Sequence, residues 1–330
     1  MKQCSHVGHV IIHSSSGILM NPLTTLTHPW LIAVWPGIGN VAINAGFYLM
    51  SKLGMSVLSE LQTSSLFDIE HVEVQKGILH TGRRPRSRFF LYSDPEKKRD
   101  IVLFLGEGQP PIGKYQYCQS IVEYAQKLKV ERIYTFAAMA TQMHPEHPSK
   151  VFVAATNEQN LEELQSQDVQ VLEDGHIGGL NGVLLGVAAE KGLHGACLLG
   201  EMPHIFSQLP FPKASQAILE VFTSFTGIEI DFTELAEQAK LMEEQLGEIL
   251  SQVEDKLGQS FTPPDDEEKP QQPLSALEKL SEDDRRRLDQ LFVQAKSDRK
   301  KAFELKQELD RLTVFKDYED RFLDLFKKPG

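Results

Sequence analysis

The stretch PWLIAVWPGIGNVAIN, residues 29–44, sets the architecture. Leu31, Ile32, Ala33, Val34 and Trp35 form an unbroken apolar run, the pattern of a strand buried on both faces. Pro36-Gly37-Ile38-Gly39-Asn40 then turns the chain, and the small and apolar residues beyond it predict a helix reaching about Leu53. The same unit recurs. A second apolar strand over residues 100–106 is followed by a loop from Glu107 and a helix over 115–128. A strand over 132–138 precedes the loop 141–148; further strands are expected at 151–155, 169–172 and 195–200, with helices at 157–165 and from Gly182 to about Lys191. Residues 55–61, 71–79 and 89–92 read as additional strands, and 82–88 as a basic, proline-broken loop. Strands alternating with helices predict an α/β fold with a mainly parallel sheet covered by helices on both faces.

Outward from this core, residues 1–28 read as a poorly structured segment and 29–260 as the α/β domain. Cys4, His6, His9 and His13 fall in the first segment, where a frayed terminus explains them better than a metal site. Met20 offers a second candidate start. Residues 229–257 form a long acidic helix, and 229–260 hold nine acids against two bases. Residues 261–273, with four prolines and four acids, read as a linker. The remainder, 274–330, reads as one or two charged amphipathic helices. Their stripe of Leu288, Leu291, Phe292, Leu305, Leu309, Leu312 and Phe315 needs a partner face, on its own core, a sister subunit or another protein, and is the candidate protein-binding surface. Truncation after Ser260 is expected to leave the core folded.

Acidic residues exceed basic ones by 46 to 34 in the 330-residue chain, a formal charge of −12, so neither nucleic acid nor an anionic membrane is an expected partner. Three cysteines without repeated spacing build neither a disulfide framework nor a four-cysteine zinc site, which suits the cytoplasm. No apolar run is long enough for a membrane helix.

Several loops carry residue types suited to ligand binding. Gly37, Gly39 and Asn40 stand between strand and helix, where backbone N–H groups can cradle a phosphate, although a tight turn is the commoner reason for such glycines. Gly178, Gly179 and Asn181 offer a second glycine-rich helix entry. Glu107, with Gln109 two residues on, and Glu201 each follow a glycine at a strand end, so two carboxylates are expected at the carboxyl edge of the sheet. A glutamate meeting an arginine is the alternative. His144, His147, His176 and His204 fall in loops without a zinc-protease spacing, and no serine or cysteine has a base beside it, so no catalytic residue, cofactor or metal is expected. Arg83, Arg84, Arg86 and Arg88 suit a solvated loop or an acidic protein partner.

The order of these motifs resembles the proteasome assembly chaperone 2 family. The resemblance rests on residues 29–44, on Leu105-Gly106-Glu107 before a helix, on Arg132-Ile133-Tyr134-Thr135-Phe136 before a histidine-proline loop, on Gly178 to Gly182, and on Leu199-Gly200-Glu201-Met202-Pro203 before Pro210-x-Pro212-Lys213. It spans about residues 29–255 and implies a domain similar to the nucleoside phosphorylase fold, homo-oligomer formation, and binding to protein, including proteasome subunits. It implies no catalytic residues. The family's docking members resemble proteasome activators in ending with a hydrophobic residue, tyrosine and one more residue, whereas this chain ends Lys328-Pro329-Gly330. The function expected is a non-enzymatic protein-binding scaffold or assembly chaperone; the alternative is a nucleoside- or nucleotide-like binding enzyme or sensor at the sheet edge.

Overall fold

The computed structural model describes residues 25–258 and 280–327, apart from residues 64, 70, 71 and 76. The 261–273 linker and nearly all of the 1–28 segment lie outside the described residues.

The apolar run of residues 31–35 becomes β1, Trp30–Val34, buried throughout. On its two sides it pairs in parallel with β6, Ile101–Gly106, and β7, Arg132–Thr141; β7 in turn pairs in parallel with β10, His194–Pro203. Antiparallel strands flank this parallel centre: β5, Ser87–Tyr92, then β2, Ser56–Leu61, on one side, and β8, Val151–Ala155, on the other, where the short β9, Gln170–Val171, ends the sheet. The eight strands run in the order β2-β5-β6-β1-β7-β10-β8-β9. The expected single strand over 71–79 is instead a separate hairpin of β3, Val72–Gln75, and β4, Ile78–Thr81, turning where Gly77 has a φ of +79°.

Helices cover both faces because β1 alternates its side chains between two cores. Leu31, Ala33 and Trp35 face α2, Lys114–Lys127, and α4, Gly179–Glu190. Trp30, Ile32 and Val34 face α1, Val41–Lys52, and α5, Pro212–Thr226. Helix α3, Glu158–Gln165, lies by β8, and the acidic α6, Thr233–Gly258, packs on α5.

The expected one or two terminal helices are three: α7, Glu282–Ser297, α8, Ala302–Arg311, and α9, Phe315–Asp324. Asp298 breaks the first by turning extended and accepting the Lys300 N–H, and Thr313, at φ +58°, breaks the second. All three join the α1 side of the core. Phe47 of α1 meets Phe315 and Phe322 edge-on at 5.3 and 5.6 Å, and Tyr48 meets Phe303 at 4.5 Å. Ser51 Oγ donates to the Arg299 carbonyl at 2.9 Å. Leu288, Leu291, Phe292, Leu305 and Leu309 are buried in this contact, with Leu312 and Phe315 packed against it. Of the partners open to the apolar stripe, it packs on its own α/β domain.

Candidate functional site

The turn after β1 is held by its neighbour after β10. Gly39 donates its N–H to the Ser207 carbonyl at 2.9 Å and accepts from the Phe211 N–H at 2.9 Å, while the Asn40 N–H returns to the Gly37 carbonyl at 3.0 Å. Gly39 adopts φ +58°, and a Cβ there would stand 2.5 Å from Met202 Sδ. This is the tight-turn use of the glycines. The N–H groups of Gly39 and Asn40 are already spent on protein carbonyls, which leaves the turn short of donors for a phosphate.

Gln109, after β6, reaches the Pro36 carbonyl at 3.4 Å, and the space for a Cβ at Gly179 lies 3.0 Å from Gln109 Oε1. Gly178 precedes α4 in extended conformation, with Asn181 in the helix's first turn. Gly37, Gly39, Gln109 and Gly179 therefore do gather at the carboxyl edge. The two carboxylates do not converge: Glu107 follows β6 and Glu201 lies in β10, three strand steps apart, about 14 Å at the usual spacing. Glu201 accepts from Thr141 Oγ1 at 2.8 Å.

Glu107 is the hub of an ion-pair network. Its buried carboxylate accepts from Arg83 Nη1 at 2.5 Å, from the Arg86 backbone N–H at 3.0 Å, and from Arg88. Arg83 continues to Glu319 at 3.0 Å and Asp320 at 3.1 Å, both on α9. Arg86 binds Glu60 of β2 through Nε at 2.8 Å and approaches Asp320 at 3.3 Å. Burial works against the charge of Arg83, but Glu107, Asp320 and Glu319 outweigh it and hold its pKa above the ordinary value. Burial first, and the neighbouring Glu107 charge second, push the Glu319 carboxyl up. The expected solvated basic loop is corrected here. Three of its four arginines meet acids of the same chain, and Ser87 and Arg88 already belong to β5.

A cleft of about 250 Å³ opens between the turn and the extension, lined by Asn40, Asn44, Lys306, Asp310, Lys316 and Glu319. It is smaller than the roughly 300–1,000 Å³ of small-ligand sites. Its buried Lys306 is paired with Asp310, and burial lowers the lysine pKa. Cys118 and Cys197 are buried thiols whose pKa is pushed up to about 12 by desolvation, the opposite of an activated nucleophile. The His144 and His147 rings lie 5.6 Å apart, tilted by 52°, and His204 Nδ1 lies 2.9 Å from the Thr141 carbonyl. Among the described residues, no group of three or more histidines, cysteines or acids is placed to hold a metal ion.

Three apolar side chains stand exposed around the turn, beside the polar Asn40, His204 and Gln208. Ile38, Ile205 and Leu209 are between 41% and 53% exposed, carried by the two segments that the Gly39 bonds tie together. Sequence reading did not single out these three, nor Glu319 and Asp320, and it met Glu60 only as an acid about twenty residues after the glycine turn, the distance of a ribose ligand. Lone apolar residues in a loop have no period; the Arg86-x-Arg88 alternation, which points both side chains to one face of a strand, was the available signal for the network.

The comparisons agree with this architecture. An uncharacterised protein of Methanocaldococcus jannaschii is 30% identical over 185 residues, 55% of this chain and 69% of that protein. The crystal structure of Pyrococcus furiosus PbaB, described as an archaeal proteasome activator, shares 27% identity at a TM-score of 0.60, covering 72% of this chain and 98% of that one. Pyrococcus furiosus PbaA, described as an archaeal homolog of proteasome-assembly chaperone, shares 26% at a TM-score of 0.55, covering 72% and 93%. The PAC2 family model matches residues 31–250, the α/β domain through most of α6, and the chain belongs to the PAC2 family.

Proposed function

We propose that this chain is a non-enzymatic protein-binding factor, an assembly chaperone of the kind that PbaA is described as resembling, acting in the cytoplasm as a homo-oligomer on a proteasome-related or similar protein partner. The observation that carries the reading is the state of the carboxyl edge. Where an open parallel sheet ordinarily holds its substrate, this one spends its buried carboxylate on Arg83, Arg86 and Arg88 and presents Ile38, Ile205 and Leu209 to solvent. Exposed apolar side chains on a rigid turn suit a protein contact better than a polar metabolite.

The test is affinity capture from the native lysate, comparing the full chain with an Ile38→Asp, Ile205→Asp, Leu209→Asp variant. The reading expects a stoichiometric protein partner that the variant loses while its melting temperature holds. Capture unchanged by the variant overturns the assigned surface. Turnover of a nucleoside or ATP by the purified chain, abolished in Glu201→Gln, overturns the non-enzymatic reading in favour of a sheet-edge enzyme.

A further inference from the structure

Helices α6, α7 and α8 enclose a groove of about 510 Å³ between the α/β domain and the extension. One wall is Glu234, Glu237, Gln238, Leu241, Met242 and Gln245, which recur at helical spacing and share one face of α6. At 1.5 Å per residue this wall is about 16 Å long. Leu291 of α7 and Glu304 and Gln307 of α8 line the rest, and Asn44 of α1 reaches in from the core. Asn44 is only 9% exposed, yet its side-chain amide has no hydrogen-bond partner among the described residues. An amide buried without a partner is costly until something completes it, and it offers both a donor and an acceptor. Gln238, Gln245 and Gln307 add three more amides without partners among the described residues.

The charges of the groove leave an acidic remainder. Five acids and two bases line it. Arg287 and Arg311 both meet Glu308, while the buried ammonium groups of Lys52 and Lys306 take Glu234 and Asp310. Glu237 has no ion-pair partner among the described residues, and Glu304 meets only the exposed Lys301, at 3.3 Å. Between these carboxylates and the amides stands Leu241, 57% exposed, with Met242 half-buried beside it.

We infer that the groove binds a short extended segment of a partner protein, one that carries a lysine or arginine next to an apolar side chain. Five residues at about 3.3 Å each match the length of the α6 wall. The amides of Asn44 and the three glutamines complement main-chain N–H and C=O groups; Glu237 and Glu304 receive the cation; Leu241 and Met242 receive the apolar side chain. Charge commits the occupant, since a nucleotide or an acidic peptide would meet unpaired carboxylates. The far wall belongs to the extension, beyond the family-matched residues 31–250, so the groove is this chain's addition to the shared domain. The inference rests on the protein-binding reading above and gives it a second surface, specific for a basic segment.

Fluorescence anisotropy of the full chain with a labelled five-residue peptide of alternating leucine and lysine is the test. Binding is expected with a Kd on the order of 10–100 µM, and none with the peptide of alternating leucine and glutamate. Glu237→Lys and Glu304→Lys, both at exposed positions, should each weaken binding by about tenfold or more with an unchanged melting temperature. Asn44→Ala and the exposed Leu241→Ser should each weaken it as well. A flat titration, equal binding of the glutamate peptide, or unchanged affinity in both charge-reversed variants overturns the inference. Displacement of the peptide by an equal concentration of spermidine also overturns it, because the groove then reads charge alone. The two readings fail separately: a flat titration beside a partner captured from lysate sinks only the groove, whereas peptide binding with no captured partner sinks only the chaperone reading.

Discussion

The backbone N–H of Val57 donates to the carbonyl of Phe326 at 2.7 Å, so the end of the C-terminal extension bonds to the outermost strand of the sheet. The same strand pairs with β5 on its other side. Phe326 also meets Phe90 edge-on at 6.2 Å, joining the extension to the sheet face as well as to its edge. The extension is therefore a structural layer of the domain.

Removal of residues 261–330 is accordingly expected to unfold or aggregate the chain, reversing the expectation of a free-standing core. Burying one large apolar side chain stabilises by about 1.5–3 kcal/mol, and a typical domain has only about 5–15 kcal/mol in hand. Phe322→Ala alone should cost about 3–5 kcal/mol in urea unfolding. A truncated chain that melts cooperatively at the wild-type temperature would refute this.

Glu107→Gln leaves the buried Arg88 with only the more distant Asp320, 3.5 Å away, as counter-charge. Breaking a buried pair from one side costs about 3–5 kcal/mol, and the loss should appear in chemical denaturation. The comparison is Glu201→Gln, whose half-buried carboxylate has no arginine partner among the described residues and should cost about 1 kcal/mol, a hydrogen bond's worth. Equal costs for the two would remove the distinction drawn between them.

Glu319 gives the stability a pH dependence of definite sign. Its carboxyl is pushed up by burial and then by Glu107, against the lowering effects of Lys316 and Arg83. The folded state thus binds this proton more tightly than the unfolded state. The group's contribution to stability is fully present below its ordinary unfolded value and is lost as pH rises through its raised folded value. Subtracting the melting temperatures of Glu319→Gln from those of the wild type across this interval should give a difference that falls with pH. A rising difference would mean that the ion pairs with Arg83 and Lys316 dominate.

Gly39 and Gly37 should part company on substitution. Gly39→Ala forces a Cβ onto a left-handed residue and against Met202, at a cost of about 1 kcal/mol or more. Gly37 sits in extended backbone with open space around it, so Gly37→Ala should change stability by less than about 0.5 kcal/mol. Urea unfolding of the two single variants decides the point.

Leu31 to Trp35 announced a buried strand because an unbroken apolar run admits few other readings, and the glycines after it announced the turn. What local pattern does not carry is the identity of distant partners. The periodic stripe from Leu288 to Phe315 said that these residues are buried, but Phe47 and Tyr48, their partners, lie on a helix whose own pattern reads simply as apolar. Arg88 looked solvated because Glu107 and Asp320 reach it from elsewhere in the chain. The β3–β4 hairpin was hidden in a run that looked continuous, its turn marked only by Gly77 at positive φ. Ile38, Ile205 and Leu209 form a patch only once Gly39 and Ser207 are bonded.

The packing of Phe322 on Phe47 also fixes an order of events during synthesis. The α1 surface leaves the ribosome well before α9, which covers it, is made. At about 5–20 residues per second, the apolar side of α1 waits roughly 15–55 s for the helix that closes over it. A product that ends before α9 lacks the Phe322 cover of Phe47 and leaves that side of α1 open.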